Sequence, residues 1–167
     1  GSTGNPKGVM VERAGLTHYV DWAAKAYFQE KPKSVIVSAP LVFDATVTSL
    51  HVPLSCGESV LLLTESEELA GLEQVLIQSR APHLLKLTPA HLNLLATRLA
   101  HHTPIDVAHC VVVGGEALPL AVLERWRACL PACHVINEYG PMETVVGCTT
   151  HRFLPTESIS SQNLPIG

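Results

Sequence analysis

The chain has 167 residues, 47% hydrophobic and 16% charged, which is long and apolar enough to bury one sizeable core. Its net charge of -4, with no run of basic residues, excludes a typical nucleic-acid-binding surface. No apolar stretch approaches the roughly 18–20 residues of a membrane span, and the five scattered cysteines are typical of reduced, buried thiols. We therefore expect a cytoplasmic globular protein that binds neither nucleic acid nor a membrane.

Short apolar runs alternate along the chain with longer helical patterns. Five runs predict buried strands because they lack the polar alternation of half-exposed strands: 34–38, 59–63, 84–87, 110–113 and 133–136. Four segments between or before them predict helices: 16–29, 67–80, 88–101 and 118–130. The third helix has the clearest start, with Thr88 as N-cap and Pro89 at the first helical position. This alternation indicates an α/β fold with a mostly parallel, doubly wound sheet flanked by helices, in which ligands bind at the carboxyl ends of the strands.

The chain begins with a glycine-rich segment, GSTGNPKG. Its glycines let backbone amides approach a phosphate group, and Ser2, Thr3 and Lys7 add hydroxyl and cationic donors. The segment differs from the kinase and GTPase loop because Gly8, not a serine or threonine, follows the lysine. Taken alone, the pattern is compatible with a phosphate-binding loop or with an ordinary polar turn.

Three charged residues lie beside the apolar runs. Lys86 interrupts the run LLKL, Glu138 follows the fifth predicted strand, and Asp44 follows the apolar residues 41–43. A lysine in a buried strand needs a partner, so Lys86 and Glu138 either neutralise each other or bind a polar ligand together. Asp44 is either the N-cap of a helix or a carboxylate that binds an ammonium group.

Four segments resemble, in the right order, the amino-acid adenylation domains of nonribosomal peptide synthetases, which belong to the adenylate-forming enzymes. They are GSTGNPKGVMVE at 1–12, LVFDATVTSLHVPLSCG at 41–57, GGEAL at 114–118 and NEYGPMETVV at 137–146. The resemblance implies that residues 1–167 are part of a domain that forms aminoacyl-AMP from an amino acid and ATP. The product then passes to the phosphopantetheine thiol of a peptidyl carrier protein, in a synthetase that also has condensation domains. The resemblance further implies that a ribose-binding aspartate and a C-terminal subdomain follow Gly167, so we expect the chain alone to be inactive.

The resemblance assigns one group of residues to ATP and Mg²⁺. Thr3, Lys7 and Glu143 take the catalytic positions, and Glu143 is the magnesium ligand, a role that suits a carboxylate. The ATP-binding set is Ser2, Thr3, Gly4, Lys7, Gly8, Gly114, Gly115, Glu116, Asn137, Tyr139, Gly140 and Thr144. The chain departs from the family at Met142, where a threonine is usual. Either Thr144 supplies the missing hydroxyl, or the contact with the α-phosphate is absent.

The resemblance assigns a second group to the amino-acid substrate: Asp44, Ala45, Thr48, Lys86, Val112, Gly114, Glu138, Val146 and Gly147. In this set Asp44 would bind the α-ammonium group, which implies an α-amino acid. Lys86 can donate to a carboxamide oxygen and Glu138 can accept from its nitrogen, so L-asparagine is the expected substrate. Two alternatives remain: a carboxylate–CoA ligase, which Asp44 disfavours, and a fragment that binds ligands without turnover.

Overall fold

The structure is a computed structural model that describes residues 8–29, 31–63, 68–159 and 164–167. The strands are β1 Ser34–Val37, β2 Val60–Leu62, β3 His83–Leu87, β4 Cys110–Val113, β5 His134–Tyr139 and β6 Thr149–Phe153. The α-helices are α1 Arg13–Tyr27, α2 Val52–Ser55, α3 Glu68–Gln78, α4 Pro89–Leu99 and α5 Leu120–Cys129. A π-helical segment, Val47–His51, precedes α2, and a 3₁₀ turn, Met142–Thr144, follows β5. Among the described residues, no helix is both long and apolar enough to cross a membrane.

The strands form one sheet in the order β2-β1-β3-β4-β5-β6. Strands β1 to β5 are parallel, and β6 runs antiparallel to β5. The chain moves outward from β1 to β2 and then returns to the other side of β1, so the strand order reverses between β1 and β3. In open α/β sheets, ligands bind outside the carboxyl ends of the strands at such a reversal.

Helices cover both faces of the sheet. Helices α3, α4 and α5 pack on one face around Leu72, Leu92 and Trp126, whereas α1 and α2 pack on the other face, where Tyr19 and Val52 are buried. Every residue of β1, β3 and β4 is buried as a result. The predicted α/β class and the mostly parallel sheet flanked by helices are confirmed.

The structure differs from the sequence prediction at several element boundaries. Helix α1 begins at Arg13 and ends at Tyr27, and α5 begins at Leu120 because Pro119 is its extended N-cap. The predicted start of α4 is confirmed, since the Thr88 side chain accepts a hydrogen bond from the His91 amide at 3.3 Å. The π-helical segment, α2 and β6 were not predicted. The prediction of reduced, buried thiols is right about burial for three of the five cysteines: all five are free thiols, Cys110, Cys129 and Cys133 are buried, and the other two are exposed.

Candidate substrate-binding cleft

A cleft of about 530 Å³ opens at the carboxyl ends of the strands, where the strand order reverses. The end of β3 and the segments that follow β1, β3 and β4 form most of its wall. The end of β5, the start of α3 and the segment after the 3₁₀ turn contribute the remainder. Its lining residues are Ser38, Ala39, Pro40, Phe43, Asp44, Ala45, Glu68, Lys86, Leu87, Thr88, His91, Gly114, Gly115, Glu116, Glu138, Gly140 and Val146.

An ion pair between Lys86 and Glu138 lies at the base of the cleft. The Lys86 Nζ contacts the Glu138 Oε2, and the two side chains are only 7% and 2% exposed. Lys86 lies two residues after Leu84 on β3, and Glu138 lies two residues after Ile136 on β5, so both point to the face that α1 covers. Strand β4 lies between them. Gly114 follows β4, and a Cβ there would lie 3.3 Å from the Lys86 Nζ and 3.0 Å from the Glu138 carbonyl oxygen. Because glycine has no Cβ, Gly114 leaves room for the Lys86–Glu138 ion pair.

Two tyrosines of α1 complete the surroundings of Glu138. Tyr19 and Tyr27 lie eight residues apart on the buried stripe of the helix, and both hydroxyls donate to Glu138 Oε1, that of Tyr19 at 3.0 Å. The Tyr19 hydroxyl also lies 2.6 Å from the Thr48 Oγ1 on the π-helical segment. Sequence reasoning missed both tyrosines. The available signal was a tyrosine pair on an apolar helical stripe, because a buried phenol usually has a hydrogen-bond partner.

Burial determines the electrostatics of this group. It lowers the pKa of the Lys86 ammonium, while the negative charge of Asp44 opposes that effect. The contacting Glu138 carboxylate also favours the charged lysine. Burial raises the pKa of Tyr19 to about 12 and that of Tyr27 still further. Both phenols are consequently neutral donors at physiological pH.

The structure brings together most of the residues assigned to the substrate. Asp44, Ala45, Lys86, Gly114, Glu138 and Val146 line the cleft. The other three lie behind this lining: Thr48 contacts Tyr19, Val112 is in the core, and Gly147 lies against Glu138. A Cβ at Gly147 would be 2.5 Å from the Glu138 Cδ, so this glycine leaves the space that the carboxylate occupies.

Asp44 is half-buried at the mouth of the cleft. Its backbone carbonyl accepts from the Val47 amide at 2.8 Å, which turns the chain into the π-helical segment. The helical residues begin at Ala45, so Asp44 occupies the N-cap position. Among the described residues, however, its side chain accepts no capping hydrogen bond, which leaves the carboxylate available to a ligand.

The residues assigned to ATP are more dispersed. Gly114, Gly115, Glu116 and Gly140 line the cleft. Tyr139 is half-exposed at the end of β5, whereas Asn137 is buried and its Nδ2 donates to the Pro165 carbonyl at 2.8 Å. Gly8 is exposed. Ser2, Thr3, Gly4 and Lys7 lie outside the described residues.

The 3₁₀ turn carries the residues assigned to magnesium and the α-phosphate. Glu143 and Thr144 are both exposed on it. The Thr144 hydroxyl donates to the Pro141 carbonyl at 2.9 Å, so in this conformation its proton is not available to replace the hydroxyl missing at Met142. In the described ranges, no three or more His, Cys, Asp or Glu side chains are grouped so as to hold a metal ion.

Comparison with known proteins identifies the family. The family model described as "AMP-binding enzyme" matches residues 1–167. The chain belongs to the AMP-binding enzyme family. Bacitracin synthase 3 from Bacillus licheniformis is 36% identical to this chain over 157 residues, which cover 92% of the chain and 2% of that synthase.

Solved structures agree with this assignment. The adenylation domain AlmE of Vibrio cholerae, in complex with glycyl-adenosine-5'-phosphate, matches with a TM-score of 0.78 and 26% identity, over 95% of this chain and 30% of AlmE. The nonribosomal peptide synthetase FmoA3 matches with a TM-score of 0.81 and 25% identity, over 99% of this chain and 18% of FmoA3. These matches confirm the resemblance to adenylation domains of nonribosomal peptide synthetases. The chain spans only a small part of each of these proteins.

Proposed function

We propose that this chain is part of an adenylation domain that forms aminoacyl-AMP from ATP and an α-amino acid. The acyl group then passes to the phosphopantetheine thiol of a peptidyl carrier protein, in a cytoplasmic synthetase that also contains condensation domains. Support comes from the family match over residues 1–167 and from the similarity to a bacitracin synthase and to an adenylation domain bound to an aminoacyl adenylate.

The proposed substrate is L-asparagine, and the buried Lys86–Glu138 pair is the observation that carries this choice. An ammonium group has three N–H donors, and Glu138 Oε2 takes one of them. The remaining donors of Lys86 suit the oxygen of a side-chain carboxamide. Glu138 Oε2 retains a lone pair that suits the carboxamide N–H. Asp44, at the mouth of the same cleft, would bind the α-ammonium group.

The side chains of other amino-acid substrates fit the base of the cleft less well. Aspartate would place a second carboxylate beside Glu138, with no donor between the two groups. Leucine or phenylalanine would cover the ion pair with apolar surface and offer it no hydrogen bond. Glutamine has the right chemistry but is one methylene longer.

ATP would lie along the glycine residues of the same cleft. Gly114 and Gly115 present backbone without side chains, and Gly115 has a φ of 89°, which favours glycine. Bound ATP would supply the adenylyl group. Ser2, Thr3, Gly4 and Lys7 would hold its phosphates, and Glu143 would ligate Mg²⁺, since a carboxylate oxygen suits this hard cation.

The change Glu143→Gln should lower turnover more than it weakens amino-acid binding, because an amide is a poorer ligand for Mg²⁺ than a carboxylate. Unchanged turnover at limiting magnesium would remove Glu143 from this role.

The test is amino-acid-dependent ATP–pyrophosphate exchange by the complete parent domain, measured with all the common amino acids. We expect asparagine to be preferred over aspartate by roughly 30-fold or more, because mismatching one member of a buried charged pair costs about 2–5 kcal/mol. A preference for an apolar amino acid would contradict the proposal. Transfer of a carboxylate without an amino group to coenzyme A would indicate the ligase alternative, and binding without exchange would indicate a binding-only function.

A further inference from the structure

The Glu138 carboxylate is held on both of its oxygens. Lys86 contacts Oε2, and Tyr19 and Tyr27 donate to Oε1. The two tyrosines do not line the cleft. They lie behind its lining on α1, where they are 3% and 0% exposed, and both contact Oε1, the oxygen that Lys86 does not contact.

The direction of each hydrogen bond follows from the number of protons. A phenol has one proton, so a Tyr19 hydroxyl that donates to Glu138 must accept from the Thr48 hydroxyl, which lies 2.6 Å away. Oε1 then receives two donors for its two lone pairs. Of the two carboxylate oxygens, Oε2 is the one that keeps acceptor capacity for a ligand, counting the contacts of the described residues.

Neighbouring backbone keeps the carboxylate in this orientation. Gly147 lies so close that a Cβ there would be 2.6 Å from the Glu138 Cγ, and a Cβ at Gly114 would lie 3.7 Å from Oε2. The carboxylate therefore lies in a slot between two glycines, and the two phenols hold its far oxygen.

We propose that Tyr19 and Tyr27 are positioning residues that set amino-acid selectivity by holding Glu138 Oε1. Oε2 of Glu138 and Nζ of Lys86 then face the substrate side chain as a fixed acceptor and donor. This arrangement is complementary to a primary carboxamide, and that part of the inference rests on the proposed asparagine specificity. Without the phenols, Glu138 could turn both oxygens toward Lys86 and lose its orientation toward the ligand.

The test uses Tyr27→Phe and Tyr19→Phe in the complete parent domain, because phenylalanine keeps the ring and removes only the hydroxyl. We expect KM for asparagine to rise by about tenfold, which is the effect of losing one hydrogen bond to a charged group. Because the lost hydrogen bond affects substrate binding and not the chemical step, kcat should be nearly unchanged. The preference for asparagine over aspartate and glutamine should fall in parallel.

Trp22→Phe is the matched control. The Trp22 ring packs against Tyr27, with ring centroids 5.3 Å apart, and against Tyr19, with centroids 6.1 Å apart. In the described part of the chain, it makes no hydrogen bond to Glu138. This variant changes the same packing and should leave the ratio of asparagine to aspartate activity unchanged. If Tyr27→Phe does not yield folded enzyme, as checked by thermal melting, Tyr19→Phe is compared with the control in the same way.

A second pair of measurements tests whether the tyrosines act through Glu138. In a background with Lys86→Met and Glu138→Leu, Tyr27→Phe should have no further effect on selectivity, because no oxygen remains at position 138 to accept from the phenol. The proposal is overturned if Tyr27→Phe lowers kcat/KM for asparagine, aspartate and glutamine by one common factor, or if its effect persists in that background. A parent domain that prefers another amino acid would refute the asparagine specificity alone, since the same coupling, measured on the preferred amino acid, still tests the positioning role.

Discussion

Two buried polar clusters lie at opposite ends of the sheet. The carboxyl-end cluster is the group formed by Lys86, Glu138, Tyr19 and Tyr27. The amino-end cluster is formed by His83, His109, Ser34 and Ser79. In the second cluster His83 Nδ1 lies 2.9 Å from the Ser34 Oγ, and His83 Nε2 lies 2.7 Å from the Ser79 Oγ. The His83 amide donates to His109 Nδ1 at 3.1 Å, and the two imidazoles stack.

The comparison shows that burial of polar groups does not by itself mark a ligand site. Both clusters connect elements that are distant in sequence, and burial shifts pKa values in both. The amino-end cluster has neutral partners, and none of its residues lines the cleft. The carboxyl-end cluster contains full charges at the point where the strand order reverses, and Lys86 and Glu138 face the cleft. Charge next to open space, at the end of the sheet where ligands bind, distinguishes a candidate site from a structural network.

The largest expected effect is on stability, from breaking the pair in the carboxyl-end cluster. Glu138→Ala should lower the free energy of unfolding of the parent domain by about 3–5 kcal/mol, because it leaves the Lys86 ammonium buried without its partner. The double change Lys86→Met with Glu138→Leu should recover most of this loss, since an apolar pair of similar volume needs no charge compensation. Urea unfolding measures both. A loss below about 1 kcal/mol for the single change would mean that the pair is effectively solvated.

The amino-end cluster should make stability depend on pH. Burial lowers the pKa of His109 to about 4 and lowers that of His83. At pH 7 both imidazoles are neutral in the folded and unfolded states. As the pH falls below about 6.5, the unfolded chain binds protons that the folded chain does not, so the free energy of unfolding decreases until about pH 4. His109 alone would contribute up to about 3 kcal/mol over this range.

His109→Asn isolates this contribution, because asparagine can still accept from the His83 amide but does not titrate. The plot of unfolding free energy against pH should be flatter for this variant between about pH 6.5 and 4. Equal slopes for the variant and the wild type would show that His109 is protonated in the folded protein.

A smaller effect should come from the glycine slot around Glu138. Gly147→Ala would force the Glu138 side chain to move, so we expect a loss of about 1–3 kcal/mol in unfolding free energy together with weaker asparagine binding. Gly15→Ala is the matched control: it lies in α1, and its Cβ would meet only the tip of the Val145 side chain, at 3.3 Å. Its effect should stay within about 1 kcal/mol, because alanine also favours the helix. If the two variants behave alike, the slot does not constrain Glu138.

Local patterns predicted most of the fold. The apolar runs located the five parallel strands, and the Thr88-Pro89 pair located the start of α4. Strand β6 was missed because it alternates only weakly and lies at the edge of the sheet, where its antiparallel pairing depends on β5. Segment 47–55 was missed because Pro53 lies within its helical turns and neither of its N-caps makes a side-chain hydrogen bond.

The candidate site was predicted only in part, for a physical reason. Lys86 could be identified because a lysine within a buried strand needs a partner, and Glu138 was the charge available beside another strand end. Tyr19 and Tyr27 could not be assigned to Glu138, because an apolar stripe shows which helical face is buried but not what it packs against. That contact depends on the order of the strands and on α1 covering the sheet. It joins residues that lie more than 100 positions apart in the sequence. The hydrogen bond from Asn137 to Pro165 spans 28 residues and likewise depends on the tertiary fold.

The central claim is that Glu138 recognises the nitrogen of a substrate carboxamide, and Glu138→His in the parent domain tests it most directly. Histidine can donate a hydrogen bond where glutamate accepts one, while Lys86 remains available to a substrate oxygen. The ratio of aspartate to asparagine activity in ATP–pyrophosphate exchange should therefore rise, by roughly 30-fold if the mismatch is worth about 2 kcal/mol. If Lys86 and Glu138 only neutralise each other, all activities should fall in proportion as the fold is destabilised. An unchanged ratio would contradict the claim.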